Sequence, residues 1–177
     1  GEDPQLARSL AGRRRRGEPL QYLLGSWPFR SIELLVDPRA LIPRPETEQV
    51  VEVELGALAG RRTGGDELVV VDLGCGSGAM GLSIASELAA QGRASLLVLV
   101  DRSAPALELA AQNAERLGIG ARLELGSWHH GIPTELVGRV DLLVSNPPYV
   151  DPAEADSLAV ELSYEPPEAL FCPAGPG

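Results

Sequence analysis

The residues best equipped for chemistry are Ser145-Asn146-Pro147-Pro148-Tyr149, which follow the apolar run Leu142-Leu143-Val144. An apolar run that stops at an amide, two prolines and an aromatic ring reads as a buried strand ending in a stiff turn. Pro147 and Pro148 lack N–H donors and hold φ near one value, so their carbonyls can face a ligand instead of extending a ladder. The Asn146 amide both accepts and donates. A planar NH2 group would be held by the Asn146 side-chain oxygen and the Pro147 carbonyl, with the Tyr149 ring covering one side. Asn-Pro-Pro is also ordinary turn punctuation, so its weight depends on the rest of the chain.

A second candidate is Gly74-Cys75-Gly76-Ser77-Gly78, placed directly after the β-branched run Leu68-Val69-Val70-Val71-Asp72-Leu73. Glycines at alternate positions between a strand and a helix let the backbone bend tightly and approach a ligand where a Cβ would not fit. Asp101 closes the next apolar run, Leu96 to Val100, and a carboxylate there can accept both hydroxyls of a ribose. It could also cap the following helix, a role that need not compete with the ribose role favoured beside the glycine loop. Trp128, after a third strand candidate over Ala121 to Leu125, offers a ring for an adenine, with core packing as the alternative. His129 and His130 are adjacent, and neighbouring side chains seldom converge on one ion, so no metal site is expected.

The elements that must position these residues are legible from periodicity. Leu6, Leu10 and the arginines to Arg16 form the last turns of a helix ended by Gly17 and Pro19; Trp27-Pro28-Phe29 and Ile32 to Val36 form a hairpin around Arg30-Ser31. Pro45 with Glu46 and Glu48 opens a helix carrying Val51, Leu55 and Leu58, an ordinary helix start that leaves Arg44 unexplained. Gly64-Gly65-Asp66 breaks the chain before the first buried strand. Helices follow over Ala79 to Ala90 and Ser103 to Leu117, strands over Ala121 to Leu125 and from Arg139 to Ser145. This alternation predicts an α/β fold, doubly wound around a mainly parallel sheet, with ligands at the carboxyl ends of the strands.

Bulk properties restrict the function classes. The 177 residues suffice for one domain with a core, and a net charge of −10 disfavours non-specific nucleic-acid binding. Arg8 and Arg13 to Arg16 concentrate positive charge at the start; a solvated helix face is the simpler reading of that run, with a nucleic-acid patch as the other. Cys75 and Cys172 are far apart and lack metal-ligand spacing, so both are expected as free thiols in a reducing compartment. No membrane span or secretory signal is evident, and Glu2 and Asp3 argue against a transit peptide.

Five segments, in order, resemble one family: Gly17-Glu18-Pro19-Leu20-Gln21-Tyr22 with Gly25, Ile42-Pro43-Arg44-Pro45-Glu46-Thr47-Glu48, Asp72 to Gly78, Ser145 to Tyr149, and Tyr164-Glu165-Pro166. Together they resemble the class I S-adenosylmethionine-dependent (SAM-dependent) methyltransferases, and within them the PrmC/HemK protein-glutamine N5-methyltransferases. The resemblance implies a Rossmann-like methyltransferase domain over residues 43–177, a hairpin connector over 25–42, and the remnant of a helical domain with its linker over 1–24. It implies S-adenosyl-L-methionine as cofactor, contacted by Gly74, Cys75, Gly76, Ser77 and Gly78, by Asp101 at the ribose, by Trp128 at the adenine and by Asn146. The implied substrate is the glutamine of the Gly-Gly-Gln loop of a peptide chain release factor. Its amide would be bound by Asn146, Pro147, Pro148 and Tyr149, with Asn146, Pro147 and Tyr149 in the catalytic role. Ser127 stands where family members carry an acid.

The family's sheet continues past the Glu-Pro segment with a helix, a fifth strand and an antiparallel pair, and Phe171 to Gly177 are too few to build them. The expectation is a C-terminally incomplete sheet whose fourth strand is an edge. A monomer is expected, in a bacterial cytoplasm or, in a eukaryote, in mitochondria. Three other readings share these residues: an adenine N6-methyltransferase acting on flipped bases, a dinucleotide-binding dehydrogenase using Gly74, Gly76 and Ala79, and an inactive cofactor-binding fragment.

Overall fold

The computed structural model describes residues 4–59 and 67–172. The Gly64-Gly65-Asp66 break, the acids Glu2 and Asp3 and the segment from Pro173 to Gly177 lie outside the described residues.

Helix α1 (Pro4–Arg15) carries Arg13, Arg14 and Arg15 in its last turn, where positive charge opposes the negative end of the helix dipole. Gly17 then takes a positive φ of 95°. A five-residue helix, α2 (Leu20–Leu24), follows and stops at Gly25, whose left-handed φ of 74° lets its N–H return to the Gln21 carbonyl. One and a half turns are too few to show a 3.6 period, so the sequence had no signal for α2.

The expected hairpin forms from β1 (Ser26–Phe29) and β2 (Ile32–Leu35), paired antiparallel with Phe29 opposite Ile32. Arg30, in its two-residue turn, has φ 51°. The Arg30 guanidinium donates to the Glu87 carboxylate, to Glu52 and to the Glu48 carbonyl, and so pins the hairpin to α3 (Pro45–Ala59) and α4 (Ala79–Ala90).

The main sheet is parallel, in the order β5 (Ala121–Leu125), β4 (Ser95–Asp101), β3 (Leu68–Leu73), β6 (Leu142–Ser145). The chain steps outward from β3 to β5 and then returns to the other side of β3, so the strand order reverses between β3 and β6. Crevices at such reversals bind ligands in open α/β sheets. Alternation sorts the strands into two faces. Leu68, Val70, Leu97, Leu99, Leu142 and Val144 pack with α3, α4, α5 (Ala104–Leu117) and the hairpin. Val69, Val71, Leu73, Val98 and Val100 pack on the other side beneath Ile132, Leu136 and Val140. Each buried aliphatic side chain contributes roughly 1.5–3 kcal/mol, so these layers supply the main stabilisation.

One strand boundary differs from the sequence reading. β6 opens at Leu142, not at Arg139, because Gly138 at φ 77° and the Arg139 N–H to Leu136 carbonyl bond form a turn there. Asp141 makes the junction: its N–H donates to the Val69 carbonyl and its carboxylate accepts the Val69 N–H. Among the described residues β6 is paired on one side only, and Leu143 on its outer face is 48% exposed. Beyond it the chain runs through two 3-10 turns, Pro152–Ser157 and Val160–Tyr164, and a single helical turn, α6 (Pro167–Leu170), before Phe171 bridges to Val150. No described helix is long and apolar enough to cross a membrane.

Candidate active site at the strand ends

Register brings the sequence candidates together. Leu73 is paired with Val100 on one side and Ser145 on the other, so Gly74, Asp101 and Asn146 are the next residues of three adjacent strands. The Ser145 hydroxyl donates to the Leu73 carbonyl at 2.8 Å and fixes the two exits to each other. A cavity of about 160 Å³ opens there, lined by Gly74 to Ser77, Asp101, Trp128, Asn146, Pro147 and Pro148, and on its far side by the connector Ala40 to Arg44.

The glycine loop has φ values of 68°, 55° and 83° at Gly74, Gly76 and Gly78, which L side chains rarely adopt. A Cβ on Gly74 would meet no other atom within 4 Å, whereas one on Gly78 would lie 2.8 Å from Leu82 Cδ1. Gly78 therefore permits α4 to pack, and Gly74 permits the bend. The loop satisfies itself: the N–H groups of Gly74 and Cys75 donate to the Val100 carbonyl, that of Gly78 to the Cys75 carbonyl, and that of Gly76 to Asp101 Oδ2 at 2.8 Å.

This donor set decides what ligand fits. A phosphate cradle needs free N–H groups pointing at the anion. Here those N–H groups are engaged and a carboxylate stands beside the loop, so the cradle suits a cationic ligand better than a pyrophosphate.

Asp101 is not the N-cap of α5. That position belongs to Ser103, whose hydroxyl accepts the Ala106 N–H, while Asp101 Oδ1 accepts the Ser103 N–H at 2.9 Å. Each Asp101 oxygen has one N–H bond and capacity for another acceptor contact. Beneath the loop, Asp72 is completely buried; Oδ2 accepts the Gly81 N–H at 2.9 Å and Oδ1 has no partner among the described residues. Burial pushes its carboxyl up to about 7, with nearby Asp101 adding to the effect against the Gly81 hydrogen bond. Burial, reinforced by the same two acids, also holds the Cys75 thiol well above its ordinary range, so Cys75 stays protonated and is a poor nucleophile.

Trp128 lies at the cavity rim, 55% exposed and at φ 51°, an uncommon conformation for an aromatic residue. It is thus not a core tryptophan. Two glycines shape its turn: a Cβ on Gly126 would be 2.5 Å from Gly131 Cα, and one on Gly131 would be 2.3 Å from Val100 Cγ1. His129 and His130 face each other with ring centroids 4.0 Å apart, and no group of three or more potential ligands among the described residues is placed to hold a metal ion.

At the Asn-Pro-Pro-Tyr turn, Asn146 is half-buried and no described residue hydrogen-bonds its amide; Pro147 is exposed. Tyr149 is 76% exposed and does not line the cavity, so in this conformation its ring leaves the site uncovered.

Three contributors had no role assigned from the sequence, although Tyr22 and Glu165 stand within the motifs that carry the resemblance. Asn113, buried in the middle of α5, accepts the Leu35 N–H and donates to the Leu35 and Ser77 carbonyls, joining the hairpin to the glycine loop. A polar residue between Leu109, Ala110 and Ala114 on an apolar helix face was its only available signal. The Tyr22 hydroxyl donates to the Ala40 carbonyl. Glu165, 4% exposed, accepts the Ile42 N–H and pairs with Arg44, which accounts for the arginine of the connector.

Comparison with known proteins agrees with this architecture. A family model described as a methyltransferase domain matches residues 65–170. The chain belongs to the methyltransferase-domain family. This methyltransferase domain is 40% identical to a human protein named MTRF1L release factor glutamine methyltransferase, over 94% of this chain and 50% of that protein. It is 41% identical to a release factor glutamine methyltransferase of Bordetella pertussis, over 92% of this chain and 57% of the relative. The chain thus spans about half the length of the curated relatives it matches. In fold it is similar to a SAM-dependent methyltransferase from Agrobacterium tumefaciens, at TM-score 0.52 and 19% identity, covering 70% of this chain and 40% of that one.

Proposed function

We propose that this domain belongs to an S-adenosylmethionine-dependent enzyme that methylates the side-chain amide nitrogen of the glutamine in the Gly-Gly-Gln motif of a peptide chain release factor. The observation that carries the reading is the juxtaposition, at three neighbouring strand ends, of a glycine cradle with engaged N–H groups, the Asp101 carboxylate and an Asn146 amide that no described protein group engages. The names of the relatives supply the substrate class.

S-adenosylmethionine, when bound, supplies an electrophilic methyl group on a positively charged sulfur. Gly74 to Gly78 would hold its amino-acid part, the remaining acceptor capacity of Asp101 its ribose and Trp128 its adenine. An amide nitrogen is a poor nucleophile because its lone pair is delocalised, so orientation is the main task of the protein. Asn146 Oδ1 and the Pro147 carbonyl would accept the two N–H bonds of the substrate amide, turn the nitrogen towards the cavity and stabilise the positive charge that develops on it. Pro147 and Pro148 make that turn stiff, so little ordering is left for the moment of binding. The exposed Tyr149 ring would cover the amide only after moving against the substrate.

The test is intact-mass spectrometry of a purified release factor incubated with the protein and S-adenosylmethionine, with Asn146→Ala and a release factor lacking the loop glutamine as controls. One added methyl group that disappears in both controls is the expected result. Methylation of an adenine-containing oligonucleotide in place of the release factor would overturn the reading.

A further inference from the structure

We propose that Glu165 is a positioning residue that couples the cofactor cavity to the Asn-Pro-Pro-Tyr turn; the inference rests on the reading of that cavity as the S-adenosylmethionine site. Its carboxylate is buried and both oxygens are used: Oε2 accepts the Ile42 N–H at 2.9 Å and Oε1 pairs with the Arg44 guanidinium at 2.5 Å. A buried carboxylate is tolerated only when paired and hydrogen-bonded, so the segment carrying Glu165 is held in one place relative to the connector. Both partners are cavity walls. Ile42 and Arg44 line it from the connector, and Pro166, Glu168 and Ala169 line it from the residues just after Glu165.

The same segment reaches the acceptor turn. Two prolines, Pro166 and Pro167, lead into the single turn α6, which leaves little slack between Glu165 and Leu170. The Leu170 carbonyl then accepts the Val150 N–H at 3.0 Å, and the Cys172 N–H returns to the Val150 carbonyl at 2.9 Å. The Cys172 thiol donates to the Pro148 carbonyl at 3.3 Å. On the cofactor side, Arg102, directly after Asp101, donates to the Glu168 carbonyl at 3.0 Å. One stiff segment thus touches the ribose end of the cavity and the backbone of the acceptor turn, and the Glu165–Arg44 pair is its anchor on the opposite wall.

A residue that only stabilised the fold would shift the melting temperature without changing the affinity of protein that remains folded. The test is therefore calorimetric binding of S-adenosylhomocysteine to the whole chain, well below the melting transition, for wild type, Glu165→Gln, Arg44→Met, Arg44→Lys and the Glu165→Gln/Arg44→Met double variant. Glu165→Gln keeps the shape and an acceptor for the Ile42 N–H, so it removes the charge pair with little disturbance to the fold. The expectation is that Glu165→Gln and Arg44→Met each weaken binding by on the order of tenfold, that the double variant is no weaker than either single one, and that Arg44→Lys lies between wild type and Arg44→Met.

A second readout follows the other end of the segment: Glu165→Gln raises KM for the release factor as well as the dissociation constant of the homocysteine analogue. Wild-type affinity in folded Glu165→Gln and Arg44→Met, with only their melting temperatures lowered, overturns the positioning role while leaving the cofactor site intact. Failure of the wild-type chain to bind the analogue overturns the cofactor reading itself.

Discussion

Replacing Asp72 by Asn should change the pH dependence of folding stability in a defined direction. Asp72 is buried below the glycine loop with one oxygen bonded to the Gly81 N–H and the other unpartnered among the described residues. Its carboxyl is raised from the ordinary 3.8 to about 7 because burial penalises the charged form. The unfolded chain releases this proton near 3.8 and the folded chain holds it to about 7. Between those values the folded state binds more protons, so the contribution of Asp72 to stability falls as pH rises and is flat above 7.

At about 1.4 kcal/mol per pH unit the whole displacement amounts to roughly 4 kcal/mol, an upper figure because water penetration and relaxation soften burial. Asn cannot titrate and its oxygen can still accept the Gly81 N–H. Urea unfolding of both proteins at intervals from pH 4 to pH 8 should therefore show Asp72→Asn gaining on the wild type by up to roughly 4 kcal/mol across the range, with the gain complete by about pH 7. The difference curve removes other groups such as Asp37, Glu18 and Glu87, whose carboxyls are held low first of all by hydrogen bonds from Arg39, Arg13 and Arg30 respectively. Parallel stability curves would refute the reasoning and show Asp72 to be ionised in the fold at neutral pH.

Other substitutions separate the roles of individual residues. Gly126→Ala places a Cβ 2.5 Å from Gly131 Cα, so it should cost about 2 kcal/mol or more and quench or shift Trp128 fluorescence, whereas Gly92→Ala, at φ 71° with no atom within 4 Å of its Cβ, should cost only about 1 kcal/mol. Ser103→Ala removes an N-cap whose bond to the Ala106 N–H is a long 3.4 Å, and thermal unfolding should register a loss at the low end of the cap range, about 0.5–1 kcal/mol. Asn113→Leu leaves the Leu35 N–H and the Ser77 carbonyl without their partner, and denaturant titration should show a loss of roughly 2–4 kcal/mol.

Much of the arrangement was legible because local signals were strong. The β-branched run before Gly74, the glycine spacing, the proline opening α3 and the alternation of apolar runs gave the strands, the crossovers and the parallel sheet, each set by side-chain periodicity or fixed φ. The resemblance carried by the five motifs led to the methyltransferase-domain family that the comparison then showed. Signals failed where an element was too short or a role depended on a distant partner. α2 and α6, at five and four residues, hold too few positions for a period. Asp101 kept an N-cap as its secondary reading because Ser103, the actual cap, lies only two residues away, and only the fold shows which oxygen reaches the Ala106 N–H.

The sequence by itself determined which residue types stand at the strand ends and the order in which the strands are made, since both follow from local pattern. Tertiary structure decided which ends become neighbours. Pairing Leu73 with both Val100 and Ser145 is a register choice, and it makes Gly74, Asp101 and Asn146 one site. Structure alone also linked Arg44 to Glu165, 121 residues away, because the need to pair a buried carboxylate is met in space and leaves no periodic trace along the chain.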